Sequence, residues 1–270
     1  MFGSIVLTGN ENIILSTFIG LSIVGKYGNY MLIINGVTVV LGAVLGGITA
    51  TIGNLKAAQN KNKEEKYFNN LFDANTLFIL IISIGLSTFL VPFIKIWAGD
   101  DYLFSWVISA LITFTFFTNQ LRQVGISYIV AYELFGYLKI KSIIEAGTNL
   151  ILSLCCVLFF KLGIIGVLCG TLLSNLLINY YWESKIVTRY ALETKINSLL
   201  KKMVTRTFIA LILIFGLSYL SSKIDNIFDY RLTWLVDSSI FICVSGSLVI
   251  VNLYRNASLK NLLLKKFLRN

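Results

Sequence analysis

The hydrocarbon core of a bilayer offers no hydrogen-bond partner, so a spanning helix needs about 20 mostly apolar residues to cross it. Eight stretches of this 270-residue sequence meet that requirement: 2–22, 29–53, 75–96, 104–131, 142–160, 163–183, 204–221 and 234–253. The first is the weakest, because Gly9-Asn10-Glu11-Asn12 interrupts it. Composition agrees. The chain is 56% apolar and 13% charged, with one proline and a mean hydropathy of +0.79. Soluble domains carry about 25% charged residues, and a chain this apolar is not disordered. The sequence reads as an all-α integral membrane protein with about eight transmembrane helices.

Basic residues orient it. The connections 54–74, 132–141, 184–203 and the tail from 254 hold sixteen lysines and arginines, against five on the opposite side: Lys26, Lys95, Lys161, Lys223 and Arg231. The positive-inside rule then places both termini in the cytoplasm. The net charge of +10 is accounted for by topology and by contact with anionic membrane lipids, which leaves no reason to invoke nucleic acid. Trp97, Trp106, Trp182 and Trp234 fall near span ends, as an aromatic belt requires. Segments 191–203 and 258–269 repeat apolar residues at helical spacing beside lysines, the pattern of helices lying in the headgroup plane. Asn60–Lys66 reads as a solvated connection, and no cleavable signal peptide is visible.

Ionisable groups inside spans cost roughly 2.5–3.5 kcal/mol each, so each one asks for a reason. Glu11, between Asn10 and Asn12, is a candidate for carrying a proton or binding a coupling cation, unless the first span is short and leaves it at an interface. In the fourth span, Thr118-Asn119-Gln120-Leu121-Arg122-Gln123 groups donors around a fixed cation. A guanidinium grips an oxyanion bidentately; the alternative is that Arg122 snorkels to headgroups. Lys141, Glu145 and Asn149 share one helix face, either as a structural pair or as a cavity wall. Gly42, Gly46 and Gly47, with Gly36 and Gly53, suit close helix packing.

Catalytic signatures are missing. The sequence holds no histidine, its four cysteines lack metal-ligand spacing, and no phosphate-cradling loop motif occurs. Asp100-Asp101, an adjacent acidic pair, falls in an outer loop without a third ligand. No enzyme activity, metal or cofactor is expected.

Several runs resemble one family. Asn10-Glu11-Asn12-Ile13-Ile14-Leu15-Ser16, then Phe18-Ile19-Gly20-Leu21, Val24-Gly25, Tyr27 and Asn29-Tyr30 are similar to the start of the second half of polysaccharide flippases. These are the O-antigen and capsule repeat-unit transporters of the multidrug/oligosaccharidyl-lipid/polysaccharide exporter superfamily. Ile48–Leu55 resembles the end of that family's next helix. Leu121-Arg122-Gln123, Lys141–Ala146 with Asn149-Leu150, and Gly163–Val167 with Gly170-Thr171 and Ser174 resemble its later signatures. The likeness covers about 10–185. Val124 and Ser142 stand where the family often has proline, which removes the kinks assigned by analogy.

The resemblance implies the second lobe of a two-lobe exporter: a six-helix bundle over 1–183, a cytoplasmic interfacial helix over 184–203, two further spans over 204–253 and a basic cytoplasmic tail over 254–270. It implies flipping of an undecaprenyl-pyrophosphate-linked oligosaccharide across a bacterial plasma membrane. Arg122, Gln123 and Lys141 would meet the pyrophosphate, and Asn10, Asn12, Asn119 and Gln120 the sugars. Glu11 and Glu145 would couple to H+ or Na+. One lobe does not enclose such a cavity, so a second transmembrane lobe or a second copy is expected as partner, with a truncated gene or fragment as the other explanation. The alternatives are a multidrug-type exporter of the same superfamily, or a non-transporting scaffold of a polysaccharide synthesis complex. A transferase using Asp100 and Asp101 is a more distant one.

Overall fold

The computed structural model describes residues 11, 13–57, 61–225 and 230–255, and these are helical almost throughout, with no strand among them. The molecule is an all-α membrane protein. Six of its helices are long and apolar enough to cross a bilayer. Asn10 and Asn12, with about half of the first expected span, and the amphipathic segment 258–269 lie outside the described residues.

A π-helical turn, Leu15–Ile19, ends at Gly20, whose φ of 122° only glycine adopts readily. Helix α1 (Leu21–Ala57) begins directly after it, eight residues before the second expected span. Helices α1 and α2 (Lys61–Trp97) each hold 37 residues. At 1.5 Å per residue that is about 55 Å, well beyond a ~30 Å hydrocarbon core. Of the expected solvated connection, Lys61–Lys66 instead already lie in α2. Glu64, 2% exposed, accepts the Tyr132 hydroxyl at 2.6 Å, and Lys61 donates to the Ala191 carbonyl at 3.1 Å. Burial, with that carboxylate beside it, pushes the Tyr132 phenol's pKa above its ordinary value.

The fourth expected span is two helices. Helix α3 (Trp106–Leu121) and α4 (Gln123–Ala131) meet at Arg122, whose backbone (φ −84°, ψ −11°) closes one and opens the other. Helix α3 is the centre of the bundle, buried along nearly its whole length from Ser109 to Leu121, and packs on α2 and on α8 (Ile196–Asp225). Helix α5 (Phe135–Leu158) packs on α6 (Ile164–Ser174). Their contact rests on two glycines: a Cβ at Gly166 would stand 3.0 Å from the Cys156 carbonyl carbon, and one at Gly170 would enter Ser153. The expected packing glycines Gly36, Gly42, Gly46, Gly47 and Gly53 instead face open space within this chain. They lie on α1, which is mostly exposed, and among the described residues nothing comes within 4 Å of a Cβ placed there.

The sixth span runs from α6 through a π-helical turn (Asn175–Asn179), α7 (Tyr180–Ile186) and a second π-helical turn (Val187–Ala191). Segment 191–203 is then not an interfacial helix. Ile196 opens α8, which continues unbroken to Asp225, and Leu192, Leu199 and Met203 are buried in protein. The apolar face that suggested the headgroup plane is satisfied by the bundle itself. Helix α9 (Tyr230–Arg255) lies against α2 and α8.

Candidate functional site

Two polar stripes face one another across the α5–α6 contact. On α5 the buried positions are Lys141, Glu145, Asn149, Ser153 and Val157, every fourth residue. That spacing keeps them on one face. Opposite them run Thr171, Asn175, Asn179 and Glu183, again four apart, carried by α6, the first π turn and α7. A π turn widens the helix locally and re-aims its side chains, which is why such turns recur at functional sites. Arg122 enters between the stripes from the α3–α4 break.

The result is a paired quartet. The Arg122 Nε and Nη2 donate to Oε2 and Oε1 of Glu183 at 2.9 and 2.8 Å, a bidentate fork. Its Nη1 donates to Asn175 Oδ1 at 2.7 Å and stands 3.7 Å from Glu145. Lys141 Nζ bridges Glu145 and Glu183, at 2.8 Å to each. Asn179 donates to Glu145, and Asn175 donates to Thr118 Oγ1 and Asn119 Oδ1, both at 3.0 Å. All four charged side chains are at most 11% exposed. Two cations meet two anions, so the quartet is neutral.

Above it lies Glu11, with a different environment. It accepts the Thr171 hydroxyl at 2.6 Å and the Tyr27 hydroxyl at 3.2 Å, and no cation pairs with it among the described residues. Asn149 Nδ2 donates to Thr171 at 3.0 Å and approaches Ser174 at 3.4 Å, while its buried Oδ1 has no partner among the described residues. A carboxylate and hydroxyls thus meet beside an amide whose nitrogen faces them.

Quartet and Glu11 line one cavity of about 490 Å³. Its walls are Tyr27, Asn35 and Thr38 of α1 on one side and Lys141, Ser142 and Glu145 of α5 on the other, with Asn119, Gln120 and Gln123 between. Helix α1 packs chiefly on α4, and α5 on α6, so the cavity opens between these two pairs. Its charged lining is Glu11, Arg122, Lys141, Glu145 and Glu183, a formal −1.

The expected residues Glu11, Asn119, Gln120, Arg122, Gln123, Lys141 and Glu145 are therefore brought together. Two expectations change. Arg122 neither snorkels nor waits as a free cation, because Glu183 already occupies its fork. Gln120 is buried and donates to Thr38 Oγ1 at 3.3 Å. Glu183, Asn175 and Asn179 were not singled out from sequence, and Thr171 only as part of a family signature, although their fourfold spacing was there to be read. Asp100 and Asp101 are exposed at a short 3₁₀ turn apart from the cavity, and among the described residues no cluster of three acidic or cysteine side chains could hold a metal. Compared with known proteins, the chain matches no family model, no curated protein and no solved structure.

Proposed function

We propose that this chain is one lobe of a bacterial plasma-membrane flippase for lipid-linked oligosaccharides, acting with a second lobe. The observation that carries the reading is the polar cavity at membrane depth, walled by amides, hydroxyls and a charge quartet in an otherwise apolar bundle. The cargo's lipid tail stays in the bilayer while its sugars need a hydrogen-bonding passage, which Asn119, Gln123, Asn35 and Thr38 offer. The sequence resemblance points the same way. So does the exposed α1 face beside the cavity, including Leu32, Val39, Val40 and Val44, which leaves room for a second bundle.

The geometry changes how an anionic headgroup would be received. Pyrophosphate cannot dock on a standing cation. It must replace Glu183 in the Arg122 fork, an exchange of one bidentate oxyanion for another. The displaced carboxylate keeps Lys141 as partner. Opening the quartet is then part of the transport cycle, with Glu11 taking the coupling cation or proton, and both chain termini facing the cytoplasm.

A second reading rests on the −1 lining. A multidrug-type exporter would use the unpaired Glu11 to hold a cationic cargo. Proteoliposomes holding the full chain separate the two by following the outward exposure of a fluorescent undecaprenyl-pyrophosphate oligosaccharide and the efflux of a cationic dye. Lipid exposure that falls at least tenfold in Glu11→Gln supports the flippase. Dye efflux without lipid movement selects the exporter. If neither cargo moves, even with a co-purifying second lobe added, the transport reading fails and a scaffold role replaces it.

A further inference from the structure

Away from the cavity, a second buried carboxylate has no counterpart in the function above. Asp237 of α9 is fully buried at the junction of α2, α8 and α9. Its Oδ2 lies 3.1 Å from Ser221 Oγ of α8, and its Oδ1 has no partner among the described residues. The same Ser221 oxygen lies 3.2 Å from the Thr88 carbonyl of α2.

The Thr88 carbonyl is available for a reason written into the sequence. Pro92, the chain's one proline, lies inside α2 four residues on. Proline has no N–H, so the carbonyl of residue i−4 loses its helical donor. Ser221 replaces that donor from a neighbouring helix.

Counting protons then decides the state of the site. Ser221 has one hydroxyl hydrogen, and two acceptors face it: the Thr88 carbonyl and Asp237 Oδ2. With Asp237 ionised, one of those acceptors goes without a full bond, and half a carboxylate charge on Oδ1 is buried unpartnered. With Asp237 protonated, its O–H donates to Ser221 Oγ, and Ser221 donates to Thr88. Every polar hydrogen is used, and only a neutral carbonyl oxygen is left over, a far smaller burden than a buried charge.

We infer that Asp237, Ser221 and Thr88 form a proton-binding site whose bound proton fastens α9 to α2 and α8. The charged groups facing it do not supply a substitute cation. From α8 the facing group is Asp225, itself acidic. Lys95 of α2, half exposed near the helix end and 3.7 Å from Asp100, acts on Asp225. No lysine or arginine pairs with Asp237 among the described residues. Around the site Phe89 stacks on Trp234, and Phe241 packs 3.3 Å from the Cβ position of Gly85, so aromatic rings close it.

Infrared difference spectroscopy of the purified full chain, wild type against Asp237→Asn, reads the site directly. A protonated-carboxyl C=O stretch present at neutral pH should vanish in Asp237→Asn and survive in Glu11→Gln. The thermal midpoint of the wild type should fall as pH rises through the range where that band disappears, while Asp237→Asn, which cannot lose its proton, stays flat. If the difference spectrum shows only loss of an ionised carboxylate at every pH, the inference is overturned. It is equally overturned if the band appears in potassium buffer and is abolished by adding sodium, since the ligand would then be a metal cation. Should Asp237→Asn not fold, Ser221→Ala serves: the band must shift to higher frequency as the acid loses its acceptor, and an unmoved band sinks the proposal.

Discussion

Two groups of buried acids among the described residues are treated in opposite ways. Around the cavity, Glu145 and Glu183 each meet two cations, and Asn179 also donates to Glu145. At the α2–α8–α9 junction, Asp237 meets one hydroxyl and, among the described residues, no cation. In the first place charge is balanced by charge, at the cost of placing four side chains within fractions of an ångström. In the second, balance needs a single proton and almost no geometry. A paired cluster is rigid and breaks when any member is lost, whereas a proton site is reversible, and only a change of pH reveals it.

The largest effect expected from that contrast is at Glu183. Glu183→Ala strands the Arg122 fork and removes one of two partners of Lys141, and an uncompensated buried charge costs about 3–5 kcal/mol. A denaturant titration in detergent should show that loss. Removing one charge of each sign, Lys141→Met with Glu145→Leu, should cost far less than either single change, because the Arg122–Glu183 fork survives intact. Equal costs for single and double variants would show that the quartet does not act as a unit. It also follows that charge reversal at Arg122 is a poor test of transport, since it would place a third carboxylate beside Glu145 and Glu183.

How much of this was legible beforehand follows from what each signal measures. Hydropathy reports how a residue partitions, so the apolar stretches of α2, α5, α6–α7, α8 and α9 were readable, while the helix starts were not: α2 begins 14 residues before its expected span and α8 eight. It does not report what a polar residue pairs with. Arg122 was therefore recognised as exceptional while its partner, 61 residues on, was not. Glu183 sat at the edge of a span, where acids are cheap, and so attracted no attention; its register with Asn175 and Asn179 was the missed clue. Helix 61–66 and the inner end of α8 failed differently. Their polar composition argued for loop and interface, but tertiary bonds such as Lys61 to Ala191 and Lys202 to Asn69 (2.6 Å) hold them as helix. The glycines divide the same way. Spacing marks where close packing is allowed, and only the fold shows that Gly166 and Gly170 use it while Gly42 and Gly46 do not.

The α5–α6 contact gives the next effect in size. The quartet exists because Gly166 and Gly170 let the two polar stripes approach. Gly170→Ala drives a methyl into the Ser153 backbone, and overpacking of that kind costs about 1–3 kcal/mol. Gly46→Ala meets nothing within this chain and should be neutral or stabilising by up to about 1 kcal/mol, since alanine is the better helix former. Both are read from the same unfolding curves. A Gly46→Ala loss as large as that of Gly170→Ala would mean that a helix outside this chain covers α1.

The smallest effect tests the other acid through the backbone it leans on. Ser221→Ala should cost about 1–3 kcal/mol, because it leaves the Thr88 carbonyl and Asp237 without their shared hydroxyl. Pro92→Ala returns an N–H to Thr88 at position i+4, so the carbonyl no longer depends on Ser221. The two changes should then be non-additive. In the Pro92→Ala background, Ser221→Ala should cost less by about 1 kcal/mol, the worth of one ordinary hydrogen bond. The residual cost belongs to Asp237 alone and should grow as pH rises, where loss of the bound proton leaves a charge that Ser221 alone helps to solvate. Strict additivity would mean that Thr88 never relied on Ser221, and the link from the proline to the acid would be broken at its first step.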